Sequence, residues 1–161
     1  MARVARFSEF ERFLLPEAGR FPRQTVLEIG VGKGNQAEWF LEHILPLADS
    51  RYIGIGPLDG SRRVDRLRRK LNKYGNKVTL RELVPLSVTA HMVCVNSAID
   101  HEMVLRWSKL VWPMVPVGGV VIWSGYRDTK QQVIQAAVDE FLAEHDHAII
   151  WAKAYKCVRK T

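Results

Sequence analysis

The stretch Val26-Leu27-Glu28-Ile29-Gly30-Val31-Gly32-Lys33-Gly34 decides how this chain is read. An apolar run of strand length carries a carboxylate near its end, three glycines follow at alternate positions, and residues 35–47 then show helical spacing. A strand, a turn of bare backbone and a helix with unpaired N–H groups in its first turn together form a cradle for a nucleotide-like ligand. Glycines also serve tight turns that hold nothing, so the rest of the chain must be read before the turn is given a function.

Outward from that turn, strand patterns at Thr25–Ile29, Arg51–Ile55, Lys77–Arg81, His91–Val95 and Gly119–Trp123 alternate with helix patterns at 35–47, 61–73, 101–112 and 130–144. Such alternation is the mark of a sheet with helical crossovers. Residues 3–15 read as an amphipathic helix closed by Pro16 and Gly19, so that residues 1–20 precede a core spanning 24–159. Between the third and fourth strands, Glu82–Ala90 is too short for a helical crossover and is expected to be extended or a single turn. Ala148–Trp151 and Ala154–Val158 are separated by two residues, a gap that allows only an antiparallel pair. The expected architecture is α/β, a Rossmann-like three-layer sandwich whose mostly parallel sheet ends in an antiparallel hairpin, as one domain over 1–161.

With 161 residues, 47% of them hydrophobic and 25% charged, the chain has the composition of a globular domain with a substantial core. No run of about 18 apolar residues occurs, and Arg3, Arg6, Glu9, Glu11 and Arg12 interrupt the first turns. A soluble, intracellular protein, cytoplasmic or within an assembled particle and without a membrane partner, is the expectation. Cys94 and Cys157 lack CxxC or Cys/His spacing and read as small core residues.

Glu28-x-Gly30-x-Gly32-x-Gly34, the Val115-Pro116-Val117-Gly118-Gly119 lead into the fifth strand and the terminal hairpin together resemble the class I S-adenosylmethionine-dependent methyltransferases, over about residues 24 to 159. Tyr52-Ile53-Gly54-Ile55-Gly56-Pro57-Leu58-Asp59-Gly60 and Val121-Ile122-Trp123-Ser124-Gly125-Tyr126 resemble its small, often metal-dependent O-methyltransferases. The resemblance implies S-adenosylmethionine as cofactor, held by Gly30, Gly32 and Gly34, with Glu28 facing the methionine ammonium. Lys33 adds a cation beside a ligand that is itself cationic at that end.

Three departures follow from the same resemblance. The acid that would accept both ribose hydroxyls at the end of the second strand is replaced by Gly56, a loss of about 1.5–3 kcal/mol or 10- to 100-fold in affinity. Asp59 stands three residues on, as a substitute or as the cap of the helix starting near Ser61. In Val95-Asn96-Ser97-Ala98-Ile99-Asp100-His101-Glu102, Asn96 takes the place of a family Asp and Ile99 that of a His; Ser124-Gly125 stands where metal-dependent relatives carry two acids. A hard divalent cation needs several oxygen ligands with negative charge among them, so no metal is expected. Asp100 and Glu102 read instead as first-turn acids that complement a helix dipole. For metal-free transfer to oxygen, His101 is the candidate base and Tyr126 the candidate orienting group, both beyond strand ends, as is Asn96 on the cofactor side. Trp123, at a strand end, is expected to border the cofactor pocket, and the other four tryptophans to be structural.

The formal net charge is +7, and residues 62–73 alone hold seven cations against Asp65. Val64, Leu67 and Leu71 recur at helical spacing, which leaves Arg62, Arg63, Arg66, Arg69 and Lys73 on an exposed side suited to a polyanion. The expected function is that of a methyltransferase-fold protein derived from S-adenosylmethionine-dependent O-methyltransferases, metal-independent, with reduced or lost catalysis on a small-molecule acceptor. The alternative is a non-catalytic subunit of a ribonucleoprotein or virus particle, contacting nucleic acid or an acidic partner through 61–73.

Overall fold

The computed structural model describes residues 12–47, 49–96, 100–127 and 132–161. Most of the expected helix at 3–15 and the Ser97-Ala98-Ile99 segment lie outside them; Arg12–Leu14 is helical and continues into a 3₁₀ turn at Leu15–Glu17. Seven strands form a sheet in the order β3-β2-β1-β4-β5-β7-β6. They are β1 (Thr25–Ile29), β2 (Arg51–Ile55), β3 (Val78–Arg81), β4 (Met92–Val95), β5 (Val120–Ser124), β6 (His147–Ala152) and β7 (Tyr155–Lys160). The chain divides into two compact units, Met1–Val84 and Pro85–Thr161.

In the first unit, β1 is buried at every position and pairs in parallel with β2, which pairs in parallel with β3. A strand covered on both faces reads as a continuous apolar run, whereas β3, at the sheet edge, alternates Val-Thr-Leu-Arg with half-buried and exposed residues. Helix α1 (Asn35–Trp39) continues as a π-helical turn over Phe40–Ile44, before Pro46. Helix α2 (Arg62–Leu71) is capped by Ser61, whose hydroxyl accepts the Val64 N–H at 3.4 Å, and it buries Val64, Leu67 and Leu71. A 3₁₀ segment, Asn72–Lys77, follows it.

Glu82–Ala90 contains no helix, as its length requires. In the second unit, β4 and β5 are parallel, and β7 lies antiparallel between β5 and β6. Helix α3 (His101–Val111) begins at Asp100, whose Oδ1 accepts the Met103 N–H at 2.7 Å; this is the first-turn acid in its capping role. It buries Val104, Ser108 and Val111, and helix α4 (Gln132–Ala143) buries Ile134, Ala137, Val138, Phe141 and Leu142. Lys160 closes the end of the α3 region by donating to the carbonyls of Trp112 (3.0 Å) and Val115 (2.9 Å). Cys94 and Cys157 are buried thiols.

One expectation is corrected here. Trp123 is 1% exposed, its indole N–H donates to Ser108 Oγ at 3.0 Å, and its ring lies 6.3 Å from that of Phe141. A single side-chain direction in β5 separates lining a pocket from packing under α3 and α4, and this tryptophan does the latter.

Candidate functional site

The glycine turn is anchored before any ligand is considered. The Gly30 N–H donates to the Ile55 carbonyl at 2.8 Å, the Gly34 N–H to Val31 at 3.0 Å, and the Glu38 N–H to Gly34 at 3.0 Å. Gly34 has φ +75, and a Cβ built on it would stand 2.5 Å from Leu67 Cδ1. Only glycine lets α1 start this close to α2. At Gly32 the surroundings are open, with Arg63 Nη2 at 3.9 Å and the Gly30 carbonyl at 4.0 Å from the corresponding point.

Glu28 is 1% exposed, and its Oε2 accepts the hydroxyl of the fully buried Tyr52. Tyr52 pairs with Val26 in register, so its side chain emerges on the same face as Glu28 two residues along β1. Gly54, next on that face of β2, makes room: a Cβ there would meet Val31 at 2.6 Å, Leu80 at 2.9 Å and Tyr52 Cε1 at 3.0 Å. Sequence reading missed Tyr52, because its meeting with Glu28 is set by the register between β1 and β2.

Past the end of β2, the Gly56 N–H donates to the Arg81 carbonyl at 3.0 Å, and nothing lies within 4 Å of the place its Cβ would occupy. Asp59 is exposed and accepts the Ser61 N–H at 3.0 Å. The Ser61 hydroxyl first, then that backbone hydrogen bond and the nearby Arg63, hold its carboxyl below the usual range. The cap of α2 is thus Ser61, and Asp59 stiffens the turn before it. Glu82, unforeseen from sequence, accepts the Leu58 N–H at 3.2 Å and ties the same loop to the end of β3.

In the second unit, Asn96 Oδ1 accepts the Cys94 thiol at 3.4 Å, and Ser124 Oγ lies 3.4 Å from the Val95 carbonyl. His101 is the first residue of α3, with Nε2 2.8 Å from Glu140 Oε2 on α4. The Tyr126 hydroxyl donates to Asp139 Oδ1 at 2.6 Å and takes a 3.3 Å contact from the buried Lys156, which is 3.6 Å from Asp139. Burial and the Asp139 carboxylate push Tyr126 up to about 12. His101 and Tyr126 therefore engage neighbouring residues of α4, and Lys156 and Asp139 join a cluster that no sequence spacing announced. Burial lowers the His91 imidazole.

The basic segment also needs correcting. Lys73 belongs to the 3₁₀ segment beyond α2 and is bound internally, with Nζ 3.1 Å from Glu38 and 3.4 Å from Glu42. Tyr74 and Glu38 hold it above its ordinary value. Lys70 is 2.8 Å from Glu38 and donates to the Lys33 carbonyl at 3.4 Å. Arg62, Arg63, Arg66, Arg68 and Arg69 are all exposed.

No family model and no curated protein matches the chain. Solved structures do. A candidate rRNA methylase from Clostridium thermocellum superposes with a TM-score of 0.71 at 16% identity, covering 96% of this chain and 97% of that one. An O-methyltransferase from Bacillus cereus, in complex with SAH, gives 0.65 at 14% identity over 85% and 74%. TomG, an O-methyltransferase of tomaymycin synthesis from Streptomyces achromogenes, in complex with SAM, gives 0.64 at 16% over 86% and 73%. The fold is that of the class I S-adenosylmethionine-dependent methyltransferases. At such identities the likeness is one of fold, and activity rests on the residues. No helix among the described residues is long and apolar enough to cross a membrane.

Proposed function

We propose that this chain is a methyltransferase-fold protein that keeps the cofactor turn, binds S-adenosylmethionine or its demethylated product weakly and without metal, and has reduced or lost methyl transfer. The observation that carries this reading is the open space at Gly32 and Gly56 beside a fully built turn. Gly30, Gly32 and Gly34 with the buried Glu28 would hold the methionine end, and the ribose hydroxyls would have Asp59 in place of the missing acid. The cofactor supplies an electrophilic methyl group when bound. Asn96 and Ser124 offer an amide and a hydroxyl in place of anionic oxygens, a poor donor set for a hard divalent cation. His101 would take the acceptor's proton on leaving Glu140, and Tyr126, held by Asp139, would orient a small-molecule acceptor.

Calorimetric titration with both cofactor forms, with and without magnesium, tests this. Weak binding unchanged by magnesium is expected, with a thermal shift following RT ln(1 + [L]/Kd). No binding up to about millimolar cofactor, by either the native protein or Gly56→Asp, would sink it. A second reading, a non-catalytic subunit that contacts nucleic acid or an acidic partner through α2, is favoured by the exposed arginines of that helix.

A further inference from the structure

We propose that Arg62, Arg66 and Arg69, flanked by Arg63 and Arg68, form a surface for the phosphate backbone of a nucleic acid, from which the lysines of the same segment are excluded. This rests on the second reading above for its location only, and it does not require cofactor binding. The seven cations of residues 62–73 fall into two sets. Lys70 and Lys73 are neutralised by Glu38 and Glu42 of the preceding helical segment. The five arginines make no ion pair among the described residues. Arg69 Nε has only a 3.4 Å contact to the Asp65 carbonyl, and Arg63 lies in the field of Asp59.

The arrangement is unfavourable to the helix that carries it. Arg62 and Arg63 occupy the amino-terminal turn, where the helix dipole repels cations, and Arg62, Arg66 and Arg69 follow at spacings where like charges repel, whereas Arg68 and Arg69 lie in the last turn, where the dipole favours them, with Asp65 one turn before. A bound polyanion would offset the repulsion among Arg62, Arg66 and Arg69. Five exposed arginines with only Asp59 and Asp65 beside them break a local rule, and such breaks mark a candidate functional surface. The residue types agree: the compact lysine ammonium is used where an internal carboxylate is met, and the planar guanidinium fork, matched to phosphate, is left facing out. Position agrees too. Arg63 Nη2 lies 3.9 Å from the Cβ point of Gly32, so the face starts at the glycine turn and runs along α2. From Arg62 to Arg69 it extends about 10 Å, a file of forks suited to a polymer bearing a charge at every repeat.

The test is fluorescence anisotropy of the full chain with a labelled single-stranded RNA and a DNA duplex, each of about twenty nucleotides per strand, between about 50 and 200 mM salt. Three phosphate contacts give an expected log–log slope of about −2 to −3. Each of Arg62→Gln, Arg66→Gln and Arg69→Gln should reduce that slope by about 0.7 to 0.9, and the triple variant should lose at least about tenfold in affinity at low salt. Lys73→Gln should leave the slope unchanged. The triple variant, being relieved of repulsion, should melt no lower than the native protein; Arg66→Glu alone provides the same binding readout with one exposed change. Retained affinity and slope in the triple variant would overturn the proposal. So would displacement of the oligonucleotide by polyglutamate at equal charge concentration, which would point to an acidic protein partner. Failure of the cofactor reading is seen separately, in the calorimetry.

Discussion

Gly34 and Gly54 stand in tight packing, whereas Gly32 and Gly56, each two residues away along the chain, face open space. The first pair forms the inner wall of the amino-terminal unit. Gly34 admits Leu67, and Gly54 admits the Tyr52 ring on its way to Glu28. The second pair forms the outer rim, where no neighbour dictates glycine. The glycine positions thus combine residues required for packing with residues whose surroundings are open. Survival of the motif proves the first requirement and leaves the second to measurement.

The inner wall should give the largest effect. Gly34→Ala places a methyl group against Leu67 at positive φ, and overpacking with backbone strain should cost about 2–4 kcal/mol. Thermal denaturation should show a midpoint about 5–15 °C lower, and an unchanged midpoint would break the packing account. Gly56→Asp should leave the unliganded midpoint nearly in place and tighten cofactor binding by about 10- to 100-fold. Equal affinity of the two proteins would remove the rim from the cofactor site. Tyr52→Phe takes a donor from the buried Glu28 and should cost about 1–2 kcal/mol, read by denaturant titration.

The smallest effect concerns the ion pairs behind the inner wall. Burial pushes the Glu38 carboxyl up, but Lys70 and Lys73 outweigh it and leave it lowered. A carboxyl lowered in the folded state contributes fully above its unfolded value, about 4.3, and the contribution is lost as pH falls through the folded pKa. Glu38→Gln should therefore differ from the native protein by about 1 kcal/mol or less at neutral pH, and the two should converge in acid. A difference that persists at low pH would assign the effect to packing.

Much of this was legible in the chain. The bounds Thr25–Ile29 and Arg51–Ile55 follow from short, mainly apolar runs of strand length, and the two residues between β6 and β7 leave only a hairpin. What escaped depends on register. Tyr52 meets Glu28 because β1 and β2 align Val26 with Tyr52, and no spacing within one strand reveals that. Tyr126, Asp139 and Lys156 meet across a strand end, a helix and the hairpin. Lys73 fitted the helical period, but the helix tightens into 3₁₀ geometry at Asn72, so the expected face ends before it.

The position of β7 between β5 and β6 has a consequence in time. β6 precedes β7 in the chain, yet it borders only β7 in the sheet, so it has nowhere to dock until β7 exists. β7 can pair first with β5 or with β6, but β6 can join only after β7 or already paired to it, and the hairpin alone closes in about 1–10 μs. The Lys153-Ala154 turn, where the Lys153 N–H meets the Tyr155 carbonyl at 2.9 Å, brings β6 and β7 together by either route. Slowing that turn would delay the addition of β6 while leaving every native contact the same.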